Sequence, residues 1–267
     1  MLRVAMQLLL LRIFARRLVF VRHNLYPHRT AARSAVLAQK LIDYYERCCD
    51  VAFVHSGDEL TLRNGPRARH YLPHPLYRRV PTADPMAVRA RLGVPTRYFL
   101  VFGRIVPYKR IEQLMAKWPA AGHTLVVCGE VGDESYAQLL ATRARDNIVY
   151  KPGLLDEEEA QALMLGAEAL VMAHAEPNTL VSGSFFYALS LDRPVVALRT
   201  AFLEWIAPRL GERIVSLAAD LDALCAEISS WDGRTLGVEE QLRLQREFGD
   251  AAIRRALAIA LPDPALT

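Results

Sequence analysis

Two hydrophobic rhythms alternate along the chain. Unbroken apolar runs of four or five residues recur, and between most of them apolar positions spread out to helical spacing. A continuous apolar run bounded by turn residues predicts a strand buried on both faces. Such strands between helices predict a parallel sheet covered on each side. The predicted strands are 18–21, 51–54, 69–72, 98–102, 124–128, 148–150, 169–173, 194–197 and a short 214–215. The predicted helices are an N-terminal one in MLRVAMQLLLLRIFARR, then 31–48, a short one from Asp58, 86–92, 111–118, 135–143, 156–166, 185–191, 221–228 and 238–261. Breaker-rich stretches at 73–77 and 81–85 read as a linker. The fold class is therefore α/β, with two Rossmann-like parallel-sheet domains, the N-terminal one incomplete. Residues 1–80 would form the partial domain, 81–245 the fuller one, and 246–267 a C-terminal helix packing back on the N-terminal part.

Length fits this division, since 267 residues with 52% apolar content suffice for one large or two smaller cores. Charge sharpens it. Residues 1–80 hold 14 Lys/Arg against 5 Asp/Glu, whereas the remainder holds 19 against 24. A basic third attracts phosphorylated ligands, anionic lipid or nucleic acid; it is equally a solvated Arg-rich surface. The N-terminal helix has no apolar run longer than Leu8–Leu11 before Arg12 interrupts, too short to span a membrane. It reads as a helix packed on a sheet, with a membrane-surface helix as the alternative. Cys48, Cys49, Cys128 and Cys225 show neither metal-ligand spacing nor a disulfide framework, which fits a reducing cytoplasm.

Candidate chemistry collects where predicted strands end, because ligands of open parallel sheets bind beyond the carboxyl ends of the strands. Gly103, Gly129, Gly153 and His174 all fall there. Ser182-Gly183-Ser184 opens a predicted helix. Small residues at a helix start leave backbone N–H groups approachable for an anion, though Ser is also an ordinary N-cap. In FGRIVPYKRIEQL, Gly103 lets a loop approach a ligand, while Arg104 and Lys109 add two positive charges beside a helix start. Gly129-Glu130 with Gly132-Asp133 is either a mobile ligand loop or a plain surface turn. Two cations and a helix-start nest around one crevice suit a diphosphate.

Residues 97–198 resemble the donor-binding half of GT-B glycosyltransferases of the family-four type. The segments that carry the resemblance are YFLVFGRIVPYKRIEQL, TLVVCGE, IVYKPGLLDEEEAQALM and LVMAHAEPNTLVSGSFFYALSLDRPVVA. The resemblance implies a nucleoside diphosphate sugar, of UDP or GDP type, as donor substrate and no permanently bound cofactor. It implies that Arg104 and Lys109 bind the diphosphate, with Gly103, Gly129, Glu130, Gly153, Leu155, Glu176, Thr179, Ser182, Gly183 and Ser184 forming the donor site. No metal ligand is expected. The family pattern also carries two glutamates ahead of the PVV strand, the first meeting the donor sugar and the second the ribose. Here Thr179 and Tyr187 stand at those positions. A subgroup with Ser-Gly-Ser at this turn includes bacterial exopolysaccharide glycosyltransferases, and the chain is similar to it.

RLVFVRHNLYPHRT resembles the acceptor-domain segment HNxxPHE of that subgroup, with Arg29 in place of the Glu. His23, Asn24 and His28 would then lie at a strand end, and His23 or His28 could take a proton from an acceptor hydroxyl. They could equally stabilise a turn. A complete acceptor half needs about 150 residues, and about 75 precede the linker. The expectations are a late start, a second chain completing the domain, or a degenerate module. The implied activity is metal-independent transfer of a sugar to a saccharide or lipid-linked acceptor, in exopolysaccharide or glycolipid synthesis. The expected place is the cytoplasm, on the inner face of the membrane, with no nucleic-acid partner. The alternative is a non-catalytic nucleotide-binding or partner module. A sugar-nucleotide epimerase would need several cleft carboxylates in the first domain, and residues 1–72 hold few.

Overall fold

The computed structural model describes residues 2–23, 32–63, 65–80, 84–119, 122–174 and 181–260. In chain order the elements are α1 (Leu2–Phe14), β1 (Val19–Arg22), α2 (Ala32–Cys48), β2 (Val51–Val54), α3 (Glu59–Arg63), β3 (His70–Tyr71), α4 (Pro85–Leu92), β4 (Phe99–Phe102), α5 (Ile111–Lys117) and β5 (Leu125–Gly129). There follow α6 (Glu134–Ala141), β6 (Ile148–Pro152), α7 (Glu157–Gly166), β7 (Ala169–Met172), α8 (Gly183–Ser190), β8 (Val195–Leu198), α9 (Ala201–Leu210), β9 (Val215–Ala218), α10 (Leu221–Ser229), α11 (Val238–Phe248) and α12 (Asp250–Ala260).

Two compact units result. The larger holds α4 onward to Glu247, and the smaller holds α1 through β3 together with α12. The larger is built on a six-stranded parallel sheet in the order β6-β5-β4-β7-β8-β9. Starting at β4 and moving one way, then returning past it, reverses the strand order between β4 and β7. That reversal opens a crevice at the carboxyl ends of those two strands. One face of the sheet buries Phe99, Val101, Leu125, Val127, Val171 and Val196 against α5 and α10, through Leu114, Trp118, Leu224 and Ile228. The Phe99 ring meets the rings of Trp118 and Trp231 edge-on at 5.8 and 5.4 Å.

The smaller unit has a three-stranded parallel sheet, β1-β2-β3. Central β2 is buried along its whole length. The other face of this small sheet is organised by a charge. The Glu46 carboxylate on α2 is fully buried and accepts from Arg22 Nη1 on β1 at 2.7 Å and from Arg69 Nε, just before β3, at 2.6 Å. Arg69 also donates to the Thr61 carbonyl at 2.9 Å. One carboxylate thereby ties α2 to both outer strands. On α1, Leu10, Leu11, Ile13 and Phe14 are exposed. Among the described residues no helix is long and apolar enough to cross a membrane.

Two elements differ from the sequence reading. Residues 201–210 form a helix, with Pro208 inside it, that the sequence reading does not include. The proline removes one backbone donor, and burial of Phe202, Leu203, Ile206 and Leu210 along one side outweighs it. The single helix read at 238–261 is two helices, α11 and α12, parted at Gly249.

Removing one partner from a buried ion network leaves the others uncompensated. Glu46→Ala is expected to destabilise the smaller unit by about 3–5 kcal/mol, measured by urea unfolding followed with far-UV circular dichroism.

Candidate functional site

Three glycines shape the rim of the larger unit. Gly103 follows β4 at φ 92°, Gly129 ends β5 at φ 151° and Gly153 follows β6 at φ 136°. A side chain at Gly129 would put its Cβ 1.9 Å from the Gly103 carbonyl oxygen. The strand ends therefore approach backbone to backbone. The Gly153 N–H then donates to the Gly129 carbonyl at 2.9 Å, and the Ile105 N–H to the Glu130 carbonyl at 2.8 Å.

This packing turns the chain back after Gly103. A single 3-10 turn, Pro107–Lys109, precedes α5, with Arg110 left-handed at φ 55°. The turn carries Lys109 into a small cavity that it lines with Phe102, His174, Ser182 and Ser184. Across the cavity the Ser184 hydroxyl donates to the Phe102 carbonyl at 2.9 Å, which pins the first turn of α8 to the end of β4. A Cβ at Gly103 would come within 2.7 Å of that hydroxyl. Ser182 sits at the N-cap of α8, but its side chain makes no capping hydrogen bond. The leading N–H groups of α8 thus lack a side-chain cap, and they carry the positive end of the helix dipole.

The electrostatics point the same way. Lys109 has no carboxylate partner among the described residues. Burial of its ammonium, with help from Arg104, lowers its pKa to about 8, although part of its side chain remains exposed. His174, just past β7, is buried, and burial with Lys109 nearby pushes its pKa down to about 4. At neutral pH the cavity holds a lysine without a counter-ion, a neutral imidazole and two hydroxyls. An uncompensated cation in a poorly hydrated cavity is costly, and an anion relieves that cost. Arg104 is exposed at the mouth.

The expected donor residues distribute as follows. Gly103, Lys109, Ser182 and Ser184 come together directly. Arg104, Gly129, Gly153 and Gly183 border them. Glu130 is exposed and contributes its backbone carbonyl, and Leu155 is half-buried in the β6–α7 loop. Glu176, Thr179 and His28, as well as Asn24, lie outside the described residues. His174 was legible only as a strand-end residue; its neutrality depends on burial.

In the smaller unit, His23 is exposed just past β1, and its ring lies 4.7 Å from that of His55, which follows β2. His74, beyond β3, lies 5.0 Å from His55 on the other side. His55 Nδ1 pairs with the Leu72 carbonyl at 2.9 Å, and burial pushes its pKa down to about 4. Sequence reading named His23 alone of these three, although all follow strands. Among the described residues no group of His, Cys, Asp or Glu is arranged to hold a metal ion.

No family model matches the chain, and no curated protein matches its sequence. Solved structures do. HepE of Anabaena, in complex with UDP-glucose, superposes with a TM-score of 0.69 at 14% identity, over 96% of this chain and 75% of that one. Sucrose-phosphate synthase from Thermosynechococcus elongatus gives 0.69 at 18%, over 96% and 69%. WaaG, a glycosyltransferase involved in lipopolysaccharide biosynthesis, gives 0.60 at 15%, over 97% and 81%. The fold is of the GT-B type.

Two outcomes test the geometry. Gly129→Ala forces backbone apart at a φ that side chains rarely adopt. It is expected to cost at least about 2 kcal/mol, read by urea unfolding. The second concerns pH. An anion prefers the charged lysine, so affinity for sulfate, whose own charge is constant over this range, should fall as pH rises through about 8 and Lys109 loses its proton. The loss approaches tenfold per pH unit, and Lys109→Arg, charged throughout, should flatten it; calorimetry between pH 7 and 10 reads both.

Proposed function

We propose that the chain is a glycosyltransferase that moves a sugar from a nucleoside diphosphate sugar, of UDP or GDP type, to a saccharide or lipid-linked acceptor. The observation that carries this reading is the uncompensated Lys109, facing Ser182 and Ser184 beside the N-terminus of α8, at the crevice between β4 and β7. In transfer from such a donor, negative charge grows on the departing diphosphate as the bond to the sugar breaks. Lys109, Arg104 and the α8 N–H groups would stabilise that charge more in the transition state than in the ground state. Gly103, Gly129, Glu130, Gly153, Leu155 and Gly183 would shape the donor seat, with Glu176 and Thr179 toward the sugar. His23 or His28 would accept the proton of the acceptor hydroxyl. The Ser-Gly-Ser turn supports placement near exopolysaccharide or glycolipid enzymes, and HepE in its complex with UDP-glucose supports a UDP-type donor.

The exposed apolar side chains of α1 and the basic balance of residues 1–80 support peripheral docking on the inner face of the cell membrane, where a lipid-linked acceptor lies. The outer edge of β1, unpaired among the described residues, supports further polypeptide completing this sheet, on the same protein or on a second chain. A non-catalytic nucleotide-binding module is the second reading. It is favoured by a tyrosine, not a carboxylate, at position 187.

Calorimetry with UDP and GDP tests the site. Arg104→Ala with Lys109→Ala is expected to weaken binding at least about a hundredfold, two charge-assisted contacts being lost. Unchanged affinity would sink the assignment. Donor hydrolysis and transfer assays separate the two readings: a chain that binds nucleotide without turnover is the module.

A further inference from the structure

In the smaller unit each strand of the parallel sheet β1-β2-β3 leads into a histidine, His23, His55 and His74 in turn. Ligands of such sheets bind beyond the carboxyl ends of the strands. His55 follows the central strand and is 3% exposed. Its Nδ1 lies 2.9 Å from the Leu72 carbonyl. A carbonyl only accepts, so Nδ1 carries the proton and Nε2 keeps its lone pair. Nε2 is buried and has no hydrogen-bond partner among the described residues. Leaving a buried polar atom so is costly, and most such atoms find a partner.

The neighbours explain why none is found within the unit. The His23 ring is tilted against His55 at 4.7 Å and 48°, and the His74 ring meets it edge-on at 5.0 Å and 65°. His74 Nδ1 is itself directed at a carbonyl, that of Pro75, at 2.7 Å. Asp58, the carboxylate closest in sequence, accepts from the Ser56 hydroxyl at 2.5 Å and from the Thr61 N–H at 2.9 Å. What Nε2 lacks is a donor. A phosphate or carboxylate offers acceptors only and does not fit. An ammonium donates, but residues 1–80 hold 14 Lys/Arg against 5 Asp/Glu, a field that disfavours a cation. An uncharged donor remains, and in a sugar transfer that donor is a hydroxyl. Burial pushes the pKa of His55 down to about 4, so at neutral pH it is too weak a base to take a proton from an alcohol. Toward a hydroxyl it can only hold and orient.

Resting on the transferase reading above, we infer that His55 Nε2 accepts a hydrogen bond from a hydroxyl of an uncharged saccharide acceptor, one other than the hydroxyl that reacts. The exposed His23 beside it stays open to the reacting hydroxyl. The group that enters this site is thereby narrowed to a neutral sugar ring with neighbouring hydroxyls, and a phosphorylated or amino sugar is disfavoured. A buried acceptor that such a ring satisfies, and that a ring lacking the hydroxyl leaves empty, is a strong source of selection.

Histidine-selective 15N NMR on the full chain tests this without any nucleotide. The wild-type protein is expected to show His55 as the neutral Nδ1–H tautomer at neutral pH. Its Nε2 resonance should move on addition of at least one of methyl glucoside, methyl galactoside and methyl mannoside, and less with glucose 6-phosphate or glucosamine. His55→Asn keeps a donor toward Leu72 and removes the acceptor, so it should weaken glycoside binding about tenfold. His55→Gln, whose amide oxygen can stand near the Nε2 position, should restore part of that loss, which a merely structural role would not predict. An Nε2–H tautomer, a resonance that none of the three glycosides moves, or equal glycoside affinity in wild type and His55→Asn overturns the proposal. A chain that holds a glycoside through His55 but binds no UDP sinks the donor reading alone, so the two failures are distinct.

Discussion

A lysine drawn into a cavity without a counter-ion sets the terms for the rest of the larger unit. Lys109 reaches that position because the chain reverses in one tight turn after Gly103. The reversal is possible because Gly129 lets the β5 end pass beneath the Gly103 carbonyl. Ser184 then anchors α8 to the end of β4, so the helix dipole adds to the positive field and does not drift from it. Each step leaves a site that is electrostatically unfinished without an anion. Burial lowers the pKa of Lys109, as it does for an ammonium taken from water without a counter-ion.

The smaller unit solves the opposite problem. Its buried charges are compensated internally, with Glu46 facing Arg22 and Arg69. A sheet of three short strands has little apolar area to fix its helices, and a buried ion network gives direction where hydrophobic contact gives little. What it leaves open is at the strand ends, where His23, His55 and His74 gather. Burial keeps His55 neutral over the physiological range. At the carboxyl ends of their sheets the larger unit therefore presents an ammonium and the smaller a set of imidazoles.

Much of this was legible before any coordinates. Unbroken apolar runs such as 98–102 and 124–128 mark strands because a parallel strand is buried on both faces, and β4 and β5 lie within one or two residues of those bounds. Gly103, Lys109 and Ser182–Ser184 stood out because glycine, cation and small residue each change what a strand end can do. Harder to read were elements whose identity depends on neighbours. The sequence reading omits α9, which contains Pro208, and runs α11 and α12 together across Gly249. His174 was legible only as a strand-end residue and Tyr187 only as standing where the family pattern has a glutamate, since a histidine or tyrosine near a strand or within a helix is usually packing.

Sequence by itself determined the strand and helix alternation, the parallel sheet and the list of residues able to meet an anion, because these follow from local periodicity and side-chain type. Only the tertiary structure decided the rest. It brought Lys109 and His174 to one cavity and paired Glu46 with two arginines more than twenty residues away in either direction. Burial and proximity set those properties, and both arise from contacts between segments distant in sequence, which no local pattern encodes.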